Sequence, residues 1–138
     1  MFAVKTSIPT LFDEFNTLNS LFDSRSTRNG ELRPSVDVAD SGDRFVITAE
    51  LPGVEEKDID IQFADHVLTI SAERKLVEKG EHTWYRKEIS GGKFSRSMKF
   101  STAINVAGIS ASYKNGMLEI SLPKDEALKP RKIEISAA

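Results

Sequence analysis

The chain of 138 residues contains no cysteine and only two histidines, His66 and His82. Without thiols there are no disulfides, no thiolate zinc sites and no cysteine nucleophile, and two histidines leave little for metal ligation or general-base chemistry. An excess of one charge is missing too. Lys and Arg number 19 against 21 Asp and Glu, a net charge of -2, which gives no global pull towards nucleic acid or an anionic membrane. No apolar run approaches the ~20 residues of a membrane span, so no stable membrane insertion is expected. At the start, Phe2-Ala3-Val4 is cut short by Lys5, Pro9 follows soon after, and Asp13 and Glu14 come next. That pattern fits neither a signal peptide nor a transit peptide, and the expected compartment is the cytoplasm. The length suits one domain with a modest extension, large enough to build a core without staples.

Motifs of catalysis are absent as well. Gly91-Gly92-Lys93 lacks the upstream glycine of a phosphate loop (position 87 is Lys87), and Phe94 stands where a magnesium-binding Ser or Thr belongs. Asp37-Val38-Ala39-Asp40-Ser41-Gly42 puts Ala39 at a ligand position of a calcium loop. Asp58 and Asp60 share one face of a strand, where solvation accounts for both. Neither an enzyme, a cofactor nor a metal is expected.

What is present falls into three parts: an N-terminal arm over residues 1–33, a β domain over 34–123 and a C-terminal extension over 124–138. In the arm, Ile8, Leu11, Phe12, Phe15, Leu18, Leu21 and Phe22 recur at three- and four-residue steps, which predicts a helix with Thr10 as its cap. Four of the eight phenylalanines (Phe2, Phe12, Phe15, Phe22) lie there. Residues 24–30 are polar and turn-prone, a linker. Beyond Pro34 the period becomes two. Phe45, Ile47, Ala49 and Leu51 share a face; so do Ile59, Ile61 and Phe63, then Leu68, Ile70 and Ala72. Phe94 to Phe100 follows, then Ile109, Ala111 and Tyr113, and finally Leu118, Ile120 and Leu122. Pro52-Gly53 ends one strand and Asn115-Gly116 is a strong hairpin signal. Many short strands with turn signals predict an all-β, immunoglobulin-like antiparallel β-sandwich.

Two segments do not belong to a closed sandwich. The charged connection over 73–93 carries Trp84 and Tyr85, and the Pro130-broken end of the chain delivers Ile133-Glu134-Ile135. Both have strand periodicity and suit pairing with an exposed sheet edge. Arg96 shares a face with Phe94, Met98 and Phe100, where a charge is costly unless it is paired or reaches water.

Leu51-Pro52-Gly53-Val54, Phe94-Ser95-Arg96-Ser97, the run Ala111-Ser112-Tyr113-Lys114-Asn115-Gly116-Met117-Leu118 and Ile133-Glu134-Ile135 together resemble a small heat shock protein with an α-crystallin domain, of the bacterial and plant type. Phe100-Ser101-Thr102-Ala103 stands where that family often has Leu-Pro, and Ala107 where Asp is common. The resemblance implies an ATP-independent holdase that binds non-native client proteins as a large, exchanging homo-oligomer of dimers and hands them to ATP-dependent chaperones. It further implies client binding by Phe2, Ile8, Leu11, Phe12, Phe15, Leu18, Leu21 and Phe22. The dimer interface would hold Val36, Val38, Trp84, Tyr85, Arg86, Glu88 and Arg96, with the loop strand swapped onto the partner's edge. The flexible tail would place Ile133 and Ile135 in a neighbour's pocket lined by Ile59, Ile61 and Ile109. The apolar stripe of the arm is equally compatible with packing inside the assembly. Two other readings are an adaptor sandwich docking one specific partner and a membrane-surface protein. Asp13, Glu14 and Asp23 oppose the second, because a membrane-surface helix favours Lys and Arg.

Overall fold

The computed structural model describes residues 11–23, 32–76, 80–125 and 133–137, with the side chains of 11, 12 and 21–23 not described. Phe2, Ile8, Thr10, the 24–30 linker and Pro130 lie outside the described residues. The arm helix α1 spans Leu11–Asp23.

Seven strands follow: β1 (Val36–Asp40), β2 (Arg44–Glu50), β3 (Ile59–Ala64), β4 (Val67–Arg74), β5 (Gly92–Lys99), β6 (Ser110–Lys114) and β7 (Met117–Pro123). They form two antiparallel sheets, ordered β1-β2-β7-β6 and β3-β4-β5. The alternation read from the sequence is the alternation of burial. Phe45, Ile47, Ala49 and Leu51, Leu118, Ile120 and Leu122, and Leu68, Ile70 and Ala72 are all buried, and Phe94, Met98 and Phe100 join them between the layers. Each fully buried aliphatic chain contributes about 1.5–3 kcal/mol relative to exposure, which fixes the register of every strand that carries one.

Turn chemistry sets the hairpins. Asn115 (φ 54) and Gly116 (φ 77) take the two left-handed positions of a two-residue loop between β6 and β7. Asp65 (φ 52) and His66 (φ 65) do the same between β3 and β4 without a glycine, a conformation that Asp and His adopt more readily than bulky or β-branched apolar residues. β6 departs from the expected pattern. Ile109 precedes the strand and Ala111 is exposed, leaving Tyr113 half-buried. As the outermost strand of its sheet, β6 turns its inner face onto the rim of the sandwich, beyond the full depth of the core.

Candidate functional site

The expected surfaces divide into an edge groove, a tail, a loop and the arm. Ile59 and Ile61 from β3 and Ala111, Ser112 and Tyr113 from β6 line a groove of about 240 Å³ with Glu56 and Leu118. β3 and β6 are outermost in their respective sheets, so the groove opens where the two layers part. Ile109, expected in this lining, is not among the lining residues; it packs against the core at the end of the 3-10 turn Val106–Gly108.

Tyr113 holds one wall of the groove. Its hydroxyl proton is shared between the Leu51 carbonyl at 2.7 Å and the Val54 carbonyl at 2.8 Å. The Leu51 N–H donates to the Gly116 carbonyl at 2.8 Å. A Cβ on Gly116 would lie 3.1 Å from the Pro52 Cα. The Tyr113–Gly116 run and the Leu51–Val54 turn therefore interlock, which gives both motifs a structural task with no chemistry in it.

The tail contributes Ile133 and Ile135, 86% and 96% exposed, and residues 133–137 join no strand. A pair of aliphatic side chains in that state has its burial free energy still to gain.

In the loop, Trp84 and Ile89 are exposed and Tyr85 is 100% exposed. Trp84 packs edge-on to His82, with ring centroids 4.7 Å apart, and the Lys87 ammonium sits 5.3 Å from the Trp84 ring. Arg86 pairs with Glu88 at 3.3 Å in full solvent, a contact worth little by itself. The described residues 80–91 form no strand. The loop is anchored at its base by Arg74, whose Nε donates to the Ser90 carbonyl at 2.9 Å, whose Nη2 donates to the same oxygen, and whose Nη1 donates to the Pro52 carbonyl at 3.1 Å. The Arg74 guanidinium also lies 4.8 Å from the Phe94 ring centre.

Val36 and Val38 are half-buried on β1, and among the described residues no strand pairs with the outer edge of β1. The end of β1 is tied to β7 by Lys124, whose Nζ donates to Asp40 Oδ1 at 2.9 Å. That hydrogen bond, followed by one from the Gly42 N–H, holds the Asp40 carboxyl below its usual range. Arg96 solves its charge problem partly through a carbonyl: Nη1 donates to Pro34 O at 3.3 Å. The structure thus brings Arg96 beside the segment leading into β1 and leaves the tail apart from the groove.

The sequence reading missed Asn19. It is the buried polar residue of the described core, 7% exposed, and its amide joins α1 to β5. The Lys99 N–H donates to Asn19 Oδ1 at 2.9 Å, while Nδ2 donates to Lys99 O at 3.2 Å and to Phe15 O at 2.9 Å. Phe15 packs on Phe100, with centroids 5.4 Å apart. A signal was available: Asn19 lies four residues after Phe15, on the apolar stripe where a polar residue needs partners.

No group of three or more His, Asp or Glu side chains able to hold a metal is gathered among the described residues. No helix there is long and apolar enough to cross a membrane.

The model of the Hsp20/alpha crystallin family matches residues 37–136. Small heat shock protein C2 of Rickettsia felis is 35% identical over 133 residues, covering 95% of this chain and 86% of that protein. An 18.5 kDa class I heat shock protein of Glycine max is 36% identical over 129 residues, covering 91% of this chain and 74% of its own length. Among solved structures, heat shock protein 16.0 from Schizosaccharomyces pombe superposes with a TM-score of 0.65 at 33% identity, over 78% of this chain and 100% of that one. A small heat-shock protein from Xylella fastidiosa, described as having a distinct high order structure, gives a TM-score of 0.61 at 35% identity, over 75% of this chain and 96% of its own.

Proposed function

The chain belongs to the Hsp20/alpha crystallin family, whose members are chaperones and not enzymes, and from that premise we propose that it is an ATP-independent holdase. It binds unfolding proteins and keeps them from aggregating, working in the cytoplasm as a large homo-oligomer built from dimers. On this reading its parts are an arm (1–33) that meets clients, a sandwich (34–123) that dimerises and a tail (124–138) that links dimers.

The observation that carries the reading is a mismatch within one chain. A groove is open at the sandwich rim, its apolar lining Ile59, Ile61, Ala111, Tyr113 and Leu118 beside Glu56 and Ser112, while Ile133 and Ile135 stand in water on a tail that joins no strand. Seating the tail of one copy in the groove of another removes both exposures. Burying two isoleucines is worth about 3–6 kcal/mol. Ordering each tail residue costs roughly 1–2 kcal/mol. A single tail is then marginal, and many tails together hold a particle that still exchanges subunits. The exposed Trp84 and Tyr85 and the edge of β1, unpaired among the described residues, support strand exchange between two copies, with Arg96 beside that contact.

Binding of a non-native chain competes with its aggregation by mass action and uses no nucleotide. The test is aggregation of several unrelated proteins on heating, without ATP, at substoichiometric amounts of this one. Suppression of all of them is the expected result. Suppression of a single one supports an adaptor for that partner, and suppression of none removes the proposal.

A further inference from the structure

β5 is the outermost strand of the β3-β4-β5 sheet, and its outer ladder is closed by the chain's own arm. The Phe100 N–H donates to His66 O at 2.8 Å, continuing the antiparallel pairing with β4. Hydrogen-bonding direction alternates along such a pair. Lys93, Ser95, Ser97 and Lys99 therefore turn their backbone groups away from β4, towards the open side.

At one end of that side, Leu32 donates its N–H to Lys93 O at 2.8 Å and accepts from the Ser95 N–H at 3.0 Å. At the other end, the Asn19 amide accepts from the Lys99 N–H at 2.9 Å and donates to Lys99 O at 3.2 Å. A carboxamide has the same donor and acceptor as a peptide group. Asn19 thus makes, with a side chain, the pair of bonds that a neighbouring strand makes with its backbone. Both plugs come from the segment before β1, and between them lies the Ser97 peptide.

We propose that the outer edge of β5 is a docking strand for an extended segment of a non-native protein, closed in the resting chain by Asn19 and Leu32 and opened at its Lys99 end when α1 lifts. This rests on the holdase reading and specifies where and how the client is held. Two features select that occupant. What the edge offers is backbone pairing, which any extended chain satisfies whatever its sequence. Between Lys93 and Lys99 at the two ends of the strand, the side chains beside it on the outer face are small hydroxyls, Ser95, Ser97, Thr69 and Ser71, with Thr69 and Ser97 hydrogen-bonded to each other at 3.2 Å; over that stretch they exclude no client residue by size. Lifting α1 also removes Phe15 from Phe100, which itself packs on Phe45 at 5.1 Å between centroids. Apolar surface and ladder groups then appear side by side, and an unfolding chain has both to offer in return.

The test uses the full-length chain with a photo-crosslinking amino acid at Ser97 or, as a control, at Asp60 on β3, and a reduced, carboxymethylated protein that stays unfolded without heating. Asn19→Ala is expected to speed hydrogen exchange at the Lys99 amide and to raise crosslinking at Ser97 several-fold, leaving Asp60 unchanged. Asn19→Asp keeps the acceptor for the Lys99 N–H but loses the donor to Lys99 O, and is expected to fall between Asn19→Ala and the parent. Faster exchange with no gain at Ser97 overturns the proposal, as does equal gain at Asp60. Crosslinks at Ser97 to a second copy of this chain, persisting with the unfolded protein in excess, overturn it too. If heated proteins are still protected from aggregation in those cases, only the β5 site falls; if they are not protected even by the parent chain, the holdase reading falls with it.

Discussion

Ile47 and Ile120 are sealed from water in the middle of two paired strands, whereas Ile133 and Ile135 stand 86% and 96% exposed on a tail that joins no strand. The side chain is the same in all four places. What differs is whether this chain alone supplies the surface that covers it. The sandwich closes on itself, with Phe45, Leu51, Leu68, Ile70, Met98 and Phe100 completing the enclosure. The tail and the Trp84 loop carry apolar surface that the described part of the chain leaves bare. A core residue thus reports on folding, and on the proposed function a peripheral one reports on association.

The strongest way to break that contrast is to hollow the core. Ile120→Ala is expected to lower the free energy of unfolding by about 2–5 kcal/mol, read from denaturant titration. A loss below about 1 kcal/mol would mean that the sandwich does not carry the stability assigned to it. Tyr113→Phe comes next. It removes the proton shared by the Leu51 and Val54 carbonyls and is expected to cost about 1–3 kcal/mol, with faster hydrogen exchange through the Leu51–Val54 turn. Arg96→Ala sharpens the boundary between the two regions. Loss of the bond to Pro34 O is expected to cost about 1 kcal/mol in the sandwich and, on the proposed function, to change the size distribution seen by light scattering. An unchanged distribution would remove Arg96 from assembly.

The smallest effect concerns pH. The Lys124 hydrogen bond keeps the folded Asp40 carboxyl below its ordinary value, and hence below the value of about 3.9 in the unfolded chain. Its contribution is present above that unfolded value and is lost as pH falls through the lowered folded one. The Asp40 side chain is 41% exposed, so the gain is of surface-pair size, about 0.2–1 kcal/mol. Asp40→Asn is expected to make the unfolding midpoint slightly less sensitive to acid over that window. An identical acid response in both proteins would leave the pair without a role in stability.

Most of the sandwich was legible because burial at period two writes itself into the sequence. The Phe45–Leu51, Leu68–Ala72 and Leu118–Leu122 alternations are buried as read, and Asn115-Gly116 takes the hairpin turn its residues favour. Three features were less legible, each for a physical reason. β6 lies at the rim, so its alternation does not set the depth of Ala111 or Ile109. Tyr113 and Arg74 act through carbonyls of distant turns, and a backbone acceptor has no residue type to betray it. Asn19 reads as an ordinary polar residue in a helix until a strand end is placed against it. For the tail and loop, the sequence displays apolar residues without the surface that covers them, because on the proposed function that surface belongs to another copy.

The most direct measurement compares the parent chain with the double variant Ile133→Ala, Ile135→Ala, sizing the native particle and titrating the sandwich with denaturant at high dilution. On the proposed function the particle shrinks to dimers while the free energy of unfolding stays within about 0.5 kcal/mol of the parent. A particle of unchanged size, or a midpoint that falls as it does for a core residue, would contradict it.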